Sequence, residues 1–156
     1  MPMSMFLLLF RTVATTATLD QLPAWAHALL SEARVAHLGL LDDRGRPRVL
    51  PITFAVVGGA LWSAVDDKPK RRAGEDLARV RWLRARPQST VTVDRYDDDW
   101  TRLAWVQLVG TTAILDASGH ADVVAALAER YAPYRAAAPP GPLLRLTPAR
   151  AVCWRA

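Results

Sequence analysis

The chain has 156 residues, long enough for one domain with a sizeable core. Its 51% hydrophobic and 22% charged residues exclude a disordered protein, and a net charge of +5 favours anionic partners without saying which anions. The lone Cys153 excludes an intramolecular disulfide and a cysteine-based zinc site, which fits a reducing cytoplasm, and His27, His37 and His120 are too scattered to form a ligand pair.

Residues 5–10 (MFLLLF) are apolar but far short of the ~20 residues of a membrane span, and no basic region precedes them as in a secretory signal. Residues 1–17 therefore read as a loosely ordered N-terminal extension, and residues 18–156 as the single domain of a soluble cytoplasmic protein. Asp20 is placed to cap a helix with Pro23 in its first turn, and Trp25, Ala26, Leu29, Leu30 and Ala33 form its apolar face. A strand over 34–41, an Asp/Gly turn over 42–46, a strand over 48–57, the turn Gly58-Gly59 and a strand over 60–66 predict a three-stranded antiparallel meander.

The second half begins with a helix over 74–86, buried along Leu77, Val80 and Leu83 and stopped by Pro87. Residues 88–96 alternate as a strand, with Val91 and Val93 on one face. Asp97, Asp98 and Asp99 mark a hairpin tip rather than a metal site, because three adjacent carboxylates cannot all converge on one ion. A long strand over 102–116 contains Gly110, where a bulge or a close backbone approach is expected. Ser118 is a cap candidate for a helix to about 132, residues 133–142 form a Pro/Ala-rich loop, and 143–154 returns as the last strand. This order predicts a mostly β fold with peripheral helices, either two short sheets or one closed antiparallel barrel. No Gly-rich strand-to-helix turn, Gly-x-Ser-x-Gly or paired histidine occurs, which argues against Rossmann, P-loop and serine-nucleophile chemistry.

Three stretches, GRPRVLPITF at 45–54, GGALWSAVDDKPKR at 58–71 and RPQSTVTV at 86–93, resemble the pyridoxamine 5′-phosphate oxidase-like family of FMN-binding split β-barrels. Members of that family bind FMN or the deazaflavin coenzyme F420. The segment DRYDDDWTRLAW at 94–105 resembles an actinobacterial subgroup of F420-dependent enzymes. The resemblance runs from about Leu19 to the C-terminus.

The resemblance implies a layout. Arg48, Val49, Leu50, Pro51 and Thr53 would lie beside the ring and ribityl chain, and Ser63, Ala64, Val65, Lys68, Lys70 and Arg71 would hold the phosphate. The chemistry of the second group agrees, since a phosphate wants a hydroxyl and several cations close together before a helix start. Pro51 cannot donate to a ladder, which suggests an edge or cofactor-facing position. Arg72, Arg79 and Arg86 recur every seven residues, as a track for the cofactor's oligoglutamate tail or as surface charge pairing with residues such as Glu75. Trp105 and Gln107 share one face of their strand, opposite Ala104, Val106 and Leu108. In the family a polar residue there meets the flavin from the partner subunit, and Trp105 either stacks so or packs in the core. Trp154 closes over the cofactor or over a dimer seam.

The implied activity is F420-dependent reduction of an unsaturated small-molecule substrate by a homodimer, with no catalytic side chain and no metal required, because the cofactor carries the hydride. A deazaflavin lacks the N5 through which flavins react readily with oxygen, which favours a reductase over an oxidase. The alternatives are an FMN-dependent oxidoreductase of the same fold and a non-catalytic flavin- or haem-binding protein. Nucleic acid is disfavoured, since aromatics are not interleaved with the Lys/Arg cluster and no helix-turn-helix or zinc signature is present. Membrane association is not expected.

Overall fold

The computed structural model describes residues 13–65 and 77–156. Eight strands form one antiparallel sheet: β1 (Ala14–Thr16), β2 (Ala36–Leu41), β3 (Pro47–Ile52), β4 (Ala55–Val57), β5 (Ala60–Ala64), β6 (Gln88–Arg95), β7 (Ala104–Leu115) and β8 (Leu143–Arg155). Among the described residues, four α-helices accompany them: α1 (Ala24–Glu32), α2 (Ala78–Ala85), α3 (Ala121–Arg130) and α4 (Ala132–Ala136). None of the described helices is long and apolar enough to cross a membrane.

The strand order is β3-β2-β6-β7-β8-β5-β4, with β1 on β8. The sheet curls, because Leu38, Ile52, Leu61, Val91, Leu108 and Leu146, one from each of β2, β3, β5, β6, β7 and β8, meet in a single core. The expected split β-barrel is therefore present, with β3 and β4 at the two ends of the sheet. Alternation decides which residues enter it. The cross-strand row Leu50–Leu38–Val91–Leu108–Ala151 points inward and is buried apart from the half-buried Leu50 at the edge, while its neighbour Pro51–His37–Thr92–Gln107–Val152 points outward. A second core lies on the other side of β5, where Trp62 and Ala64 meet Val123, Leu127, Tyr131 and Tyr134 from α3 and the residues after it. With a core on each face, β5 is buried along its whole length.

The expected meander is broken: β3 and β4 share no ladder, and β5 pairs with β4 and β8. Thr53 and Phe54 turn the chain from one end of the sheet to the other. Gly58 and Gly59, with φ of 58° and 74°, make the two-residue β4–β5 turn that needs two positive φ values. Asp20 does not cap α1. It sits in a 3-10 turn (Leu19–Gln21), and Pro23 precedes the helix, where its missing N–H costs nothing. Ser118 likewise lies in a 3-10 turn and His120 precedes α3. The Pro/Ala stretch contains part of α4, and Ala14–Thr16, expected within a loose extension, form a strand that pairs with residues 151–153 of β8. The bulge is found at its expected place: the β7–β8 register slips between Val109 and Gly110. Cys153 is buried beside β1, and burial pushes its thiol above its ordinary pKa.

Candidate cofactor site

Strand β3 is an end strand whose register with β2 determines where its backbone groups point. Asp42 N–H donates to the Arg46 carbonyl, so 42–46 is a hydrogen-bonded pair, and the same parity carries 40–48, 38–50 and 36–52. Pro47, Val49 and Pro51 fall at the alternate positions and turn their backbone groups to the free edge. That edge therefore offers three carbonyl acceptors and one donor, the N–H of Val49, since both prolines lack one. The prolines also discourage another strand from adding there. Val49 is 67% exposed, and with Gly39, Pro47, Thr90 and Val109 it lines a groove of about 380 Å³.

The residues expected beside a ring divide between two faces. Val49 and Pro51 stand on the outer face. Arg48 and Leu50 point the other way, Leu50 against the core. The Arg48 guanidinium lies 5.1 Å from the centre of the Trp82 ring on α2 and 3.8 Å from Asp42 Oδ2. Thr53 is half-buried at the end of β3, its hydroxyl 2.9 Å from Tyr134 Oη.

Asp42 organises the hairpin beneath Arg48 and is wholly buried. Its Oδ1 accepts the backbone N–H groups of Arg44 and Arg46, and its Oδ2 meets the Arg46 side chain at 2.9 Å. Arg86 donates to the backbone carbonyls of Asp42 and Asp43, which assigns it a structural partner in place of an open charge stripe. The backbone N–H of Arg46, followed by its side chain and the N–H of Arg44, holds the Asp42 carboxyl below its ordinary value of 3.8 against the opposing cost of burial. A depressed folded-state pKa means the stabilisation is present above about pH 4 and lost as pH falls through the lower folded value. Denaturation midpoints from pH 6 to pH 2 are expected to show wild type losing its advantage over Asp42→Asn only below about pH 4.

Trp105 and Gln107 of β7 are half-buried on the outer face, as their alternation predicted. Gln107 donates to Thr92 at 3.4 Å, and Trp105 pairs across the ladders with Asp94 and Trp154. Pro51 and Gln107 stand in one row but three strand spacings apart, about 14 Å. One chain therefore does not bring them to a common small ligand.

Ser63 stands on the inner face of β5 at 2% exposure and lines a small internal cavity with Leu61, Thr112 and Leu144. Its hydroxyl enters the barrel and is not presented to an external phosphate, because both faces of β5 are covered. Ala64 is buried in the second core, and the Val65 N–H donates to the Pro142 carbonyl. Lys68, Lys70, Arg71 and Arg72 lie outside the described residues.

Sequence reasoning missed the tyrosines. Tyr131 Oη accepts from the Phe54 N–H at 3.0 Å and faces the carbonyls of Arg34 and Phe54, while Tyr134 holds Thr53. Two phenols thus grip the two residues that leave β3, and only the long-range fold reveals it. A nearby opening of about 460 Å³ is lined by His27, Arg34, Glu129 and Arg130 among others. Its arginines serve as helix caps: Arg130 donates to the Ser31 and Ala33 carbonyls at the end of α1, and Arg34 to the Arg130 carbonyl at the end of α3. No group of three His, Cys, Asp or Glu residues suited to a metal occurs among the described residues.

The antiparallel sheet that curls into a split barrel defines the fold class. The chain belongs to the pyridoxamine 5′-phosphate oxidase family, whose sequence profile matches residues 23–152. No curated protein matches it in sequence. Among solved structures, it resembles a conserved hypothetical protein of Mycobacterium tuberculosis at 16% identity and a TM-score of 0.69, over 90% of this chain and 89% of that one. An FAD-binding protein of Mesorhizobium loti matches at 21% identity and a TM-score of 0.62, over 92% and 99%. The haem storage protein HutZ of Vibrio cholerae matches at 16% identity and 0.61, over 78% and 86%. The fold is thus shared by flavin-binding and haem-binding proteins.

Proposed function

We propose that the protein is an F420-dependent oxidoreductase, acting as a homodimer on an unsaturated organic substrate. The observation that carries this reading is the free edge of β3, with the Val49 N–H as its one donor between the acceptor carbonyls of Pro47 and Pro51. A pyrimidinedione ring edge, with N–H flanked by carbonyls, meets such an edge at two points, one ring carbonyl accepting from the Val49 N–H and the ring N–H donating to a neighbouring strand carbonyl, a pattern that F420 and FMN share. When bound, a reduced deazaflavin would supply hydride-transfer chemistry beside the β3 edge, where Val49, Pro51 and Thr53 would hold its ring. The chain's own part is to bind, orient and exclude water, which is consistent with a site built from backbone groups, Thr53 and apolar Val49 and Pro51.

Arg48 faces away from Val49 and Pro51, where Trp82 and Asp42 hold it, so its part in this reading is to support the hairpin that carries the β3 edge. The distance between Pro51 and Gln107 supports the homodimer: a second copy would bring its Trp105 and Gln107 to the first copy's β3 edge. Ser63 does not fit as a phosphate hydroxyl donor, so the phosphate falls to Lys68, Lys70 and Arg71. Titration of purified protein with F420 and FMN, followed by fluorescence, tests the reading: micromolar F420 binding with FMN ignored is expected, and the reverse overturns it. Lys70→Ala is expected to weaken F420 by about 1–3 kcal/mol, the size of a lost charge-assisted contact. Unchanged affinity removes Lys70 from the phosphate site.

A haem-binding reading draws on His37. It stands on the outer face with its side chain 46% exposed, its Nδ1 3.8 Å from Asp94 Oδ1. At that distance the carboxylate makes no hydrogen bond to the ring, and the reading rests on an exposed imidazole as a metal ligand. Adding haemin in the same experiment separates the cases, because a sharp Soret band lost in His37→Ala would favour this second reading.

A further inference from the structure

We infer that the groove beside the β3 edge is the substrate subsite, that it takes an uncharged, apolar unsaturated compound, and that Gly39 determines this choice by keeping the groove open. The inference rests on the cofactor reading above and adds to it the class of molecule the cofactor acts on.

Gly39 stands in the middle of β2, paired with Val49 on one side and Thr90 on the other. Glycine weakens a strand interior, so its presence there calls for a reason. Neither usual reason holds. Gly45, Gly58, Gly59 and Gly141 have positive φ, and Gly39 does not. Nor do neighbours crowd it: an added Cβ would lie 3.6 Å from the Thr90 carbonyl oxygen and 4.0 Å from the Thr90 Cβ, ordinary contact distances. Gly110, where the same atom would meet backbone at 2.1 Å, is the contrasting case. A side chain at position 39 would instead occupy the groove. On the outer face of β2, Gly39 falls between His37 and Leu41, and its missing side chain leaves a gap in the row Val49–Gly39–Thr90–Val109.

The lining sets the chemistry. Pro47, Val49 and Val109 supply apolar walls, and Gln88 and Thr90 are polar but uncharged. Among the described residues, Arg48 is the one ionic residue in the lining, and its guanidinium turns to Trp82 and Asp42 on the other side of the strand. An ion entering such a groove would lose water without gaining a partner. The volume of about 380 Å³ lies within the ~300–1,000 Å³ of ordinary small-ligand sites. Pro47 and Val49 belong both to the groove and to the free edge proposed to hold the ring, so a molecule in the groove adjoins the cofactor.

The test titrates methyl cinnamate, an uncharged unsaturated ester, and cinnamate, its charged counterpart, into protein with F420 present. Wild type is expected to bind the ester, and to bind the anion at least about tenfold more weakly. Gly39→Val is expected to weaken the ester about tenfold or more by filling the groove, while F420 affinity stays within about threefold. Its melting temperature should be no lower than that of wild type, since a β-branched residue suits a strand interior. Gly39→Ala, whose methyl group fits without strain, should weaken the ester less and covers the case of a Val variant that folds poorly. No ester binding in wild type, equal affinity for ester and anion, or wild-type ester affinity in both variants overturns the inference while leaving the cofactor reading standing. A changed oligomeric state in Gly39→Val with ester binding intact assigns the groove to a contact between copies and also overturns it. A wild-type protein that binds neither F420 nor FMN is a separate result, and it overturns the cofactor reading and the substrate role together.

Discussion

Gly110→Val is expected to destabilise the fold by on the order of 3 kcal/mol or more, seen as a large drop in the denaturation midpoint. The reason is steric and local. A Cβ added at Gly110 would lie 2.1 Å from the Thr147 carbonyl oxygen and 3.0 Å from the Pro148 Cα, both backbone atoms that cannot rotate away. The close approach comes from the bulge, where Gly110 pairs with Pro148 and Ala149 is left between the paired positions. Strands β7 and β8 form the longest ladder of the barrel, so relief requires shifting the backbone in the middle of the sheet. The control is Gly119→Ala, in a turn where an added Cβ meets nothing within 4 Å and where little change is expected.

Tyr131→Phe is expected to cost about 2 kcal/mol, out of proportion to the loss of one oxygen atom. The phenol oxygen accepts from the Phe54 N–H, and Phe54 is wholly buried, so no water replaces the lost partner. The same oxygen serves the carbonyls of Arg34 and Phe54 at 3.0 and 3.2 Å, which places three chain segments on one atom. Hydrogen exchange supplies the sharper measurement. The Phe54 amide is expected to exchange much faster in Tyr131→Phe than the amides of the β7–β8 ladder do. Equal exchange of both would mean that the β3–β4 bend does not depend on the phenol.

Tyr131 bears on function through the bend that it holds. The β3–β4 bend aims Thr53 and the free edge of β3, and it has no ladder of its own to hold it. Its stiffness comes from α3 and α4, elements with no resemblance-based role. A substitution in that helical pair should therefore disturb ligand binding at β3 without touching the ligand.

Much of this was legible in the residues themselves. Strict alternation in 88–95 and 104–109 determined which side chains face inward, because successive strand residues point to opposite faces whatever their partners. Gly58-Gly59 determined a tight turn, Gly110 a close approach, and Pro51 an edge, since each is a property of one residue's backbone. The three quoted stretches were enough to point to the family. Partners were another matter. Only the tertiary structure decided that β5 leaves the expected meander for β8, because hairpin signals give adjacency in sequence and not the closure of a barrel. That choice buries both faces of β5 and turns Ser63 inward. It likewise took the fold to bury Asp42 beneath Arg48 and to bring Tyr131 and Tyr134 to Phe54 and Thr53, contacts across 77 and 81 positions that no local pattern encodes.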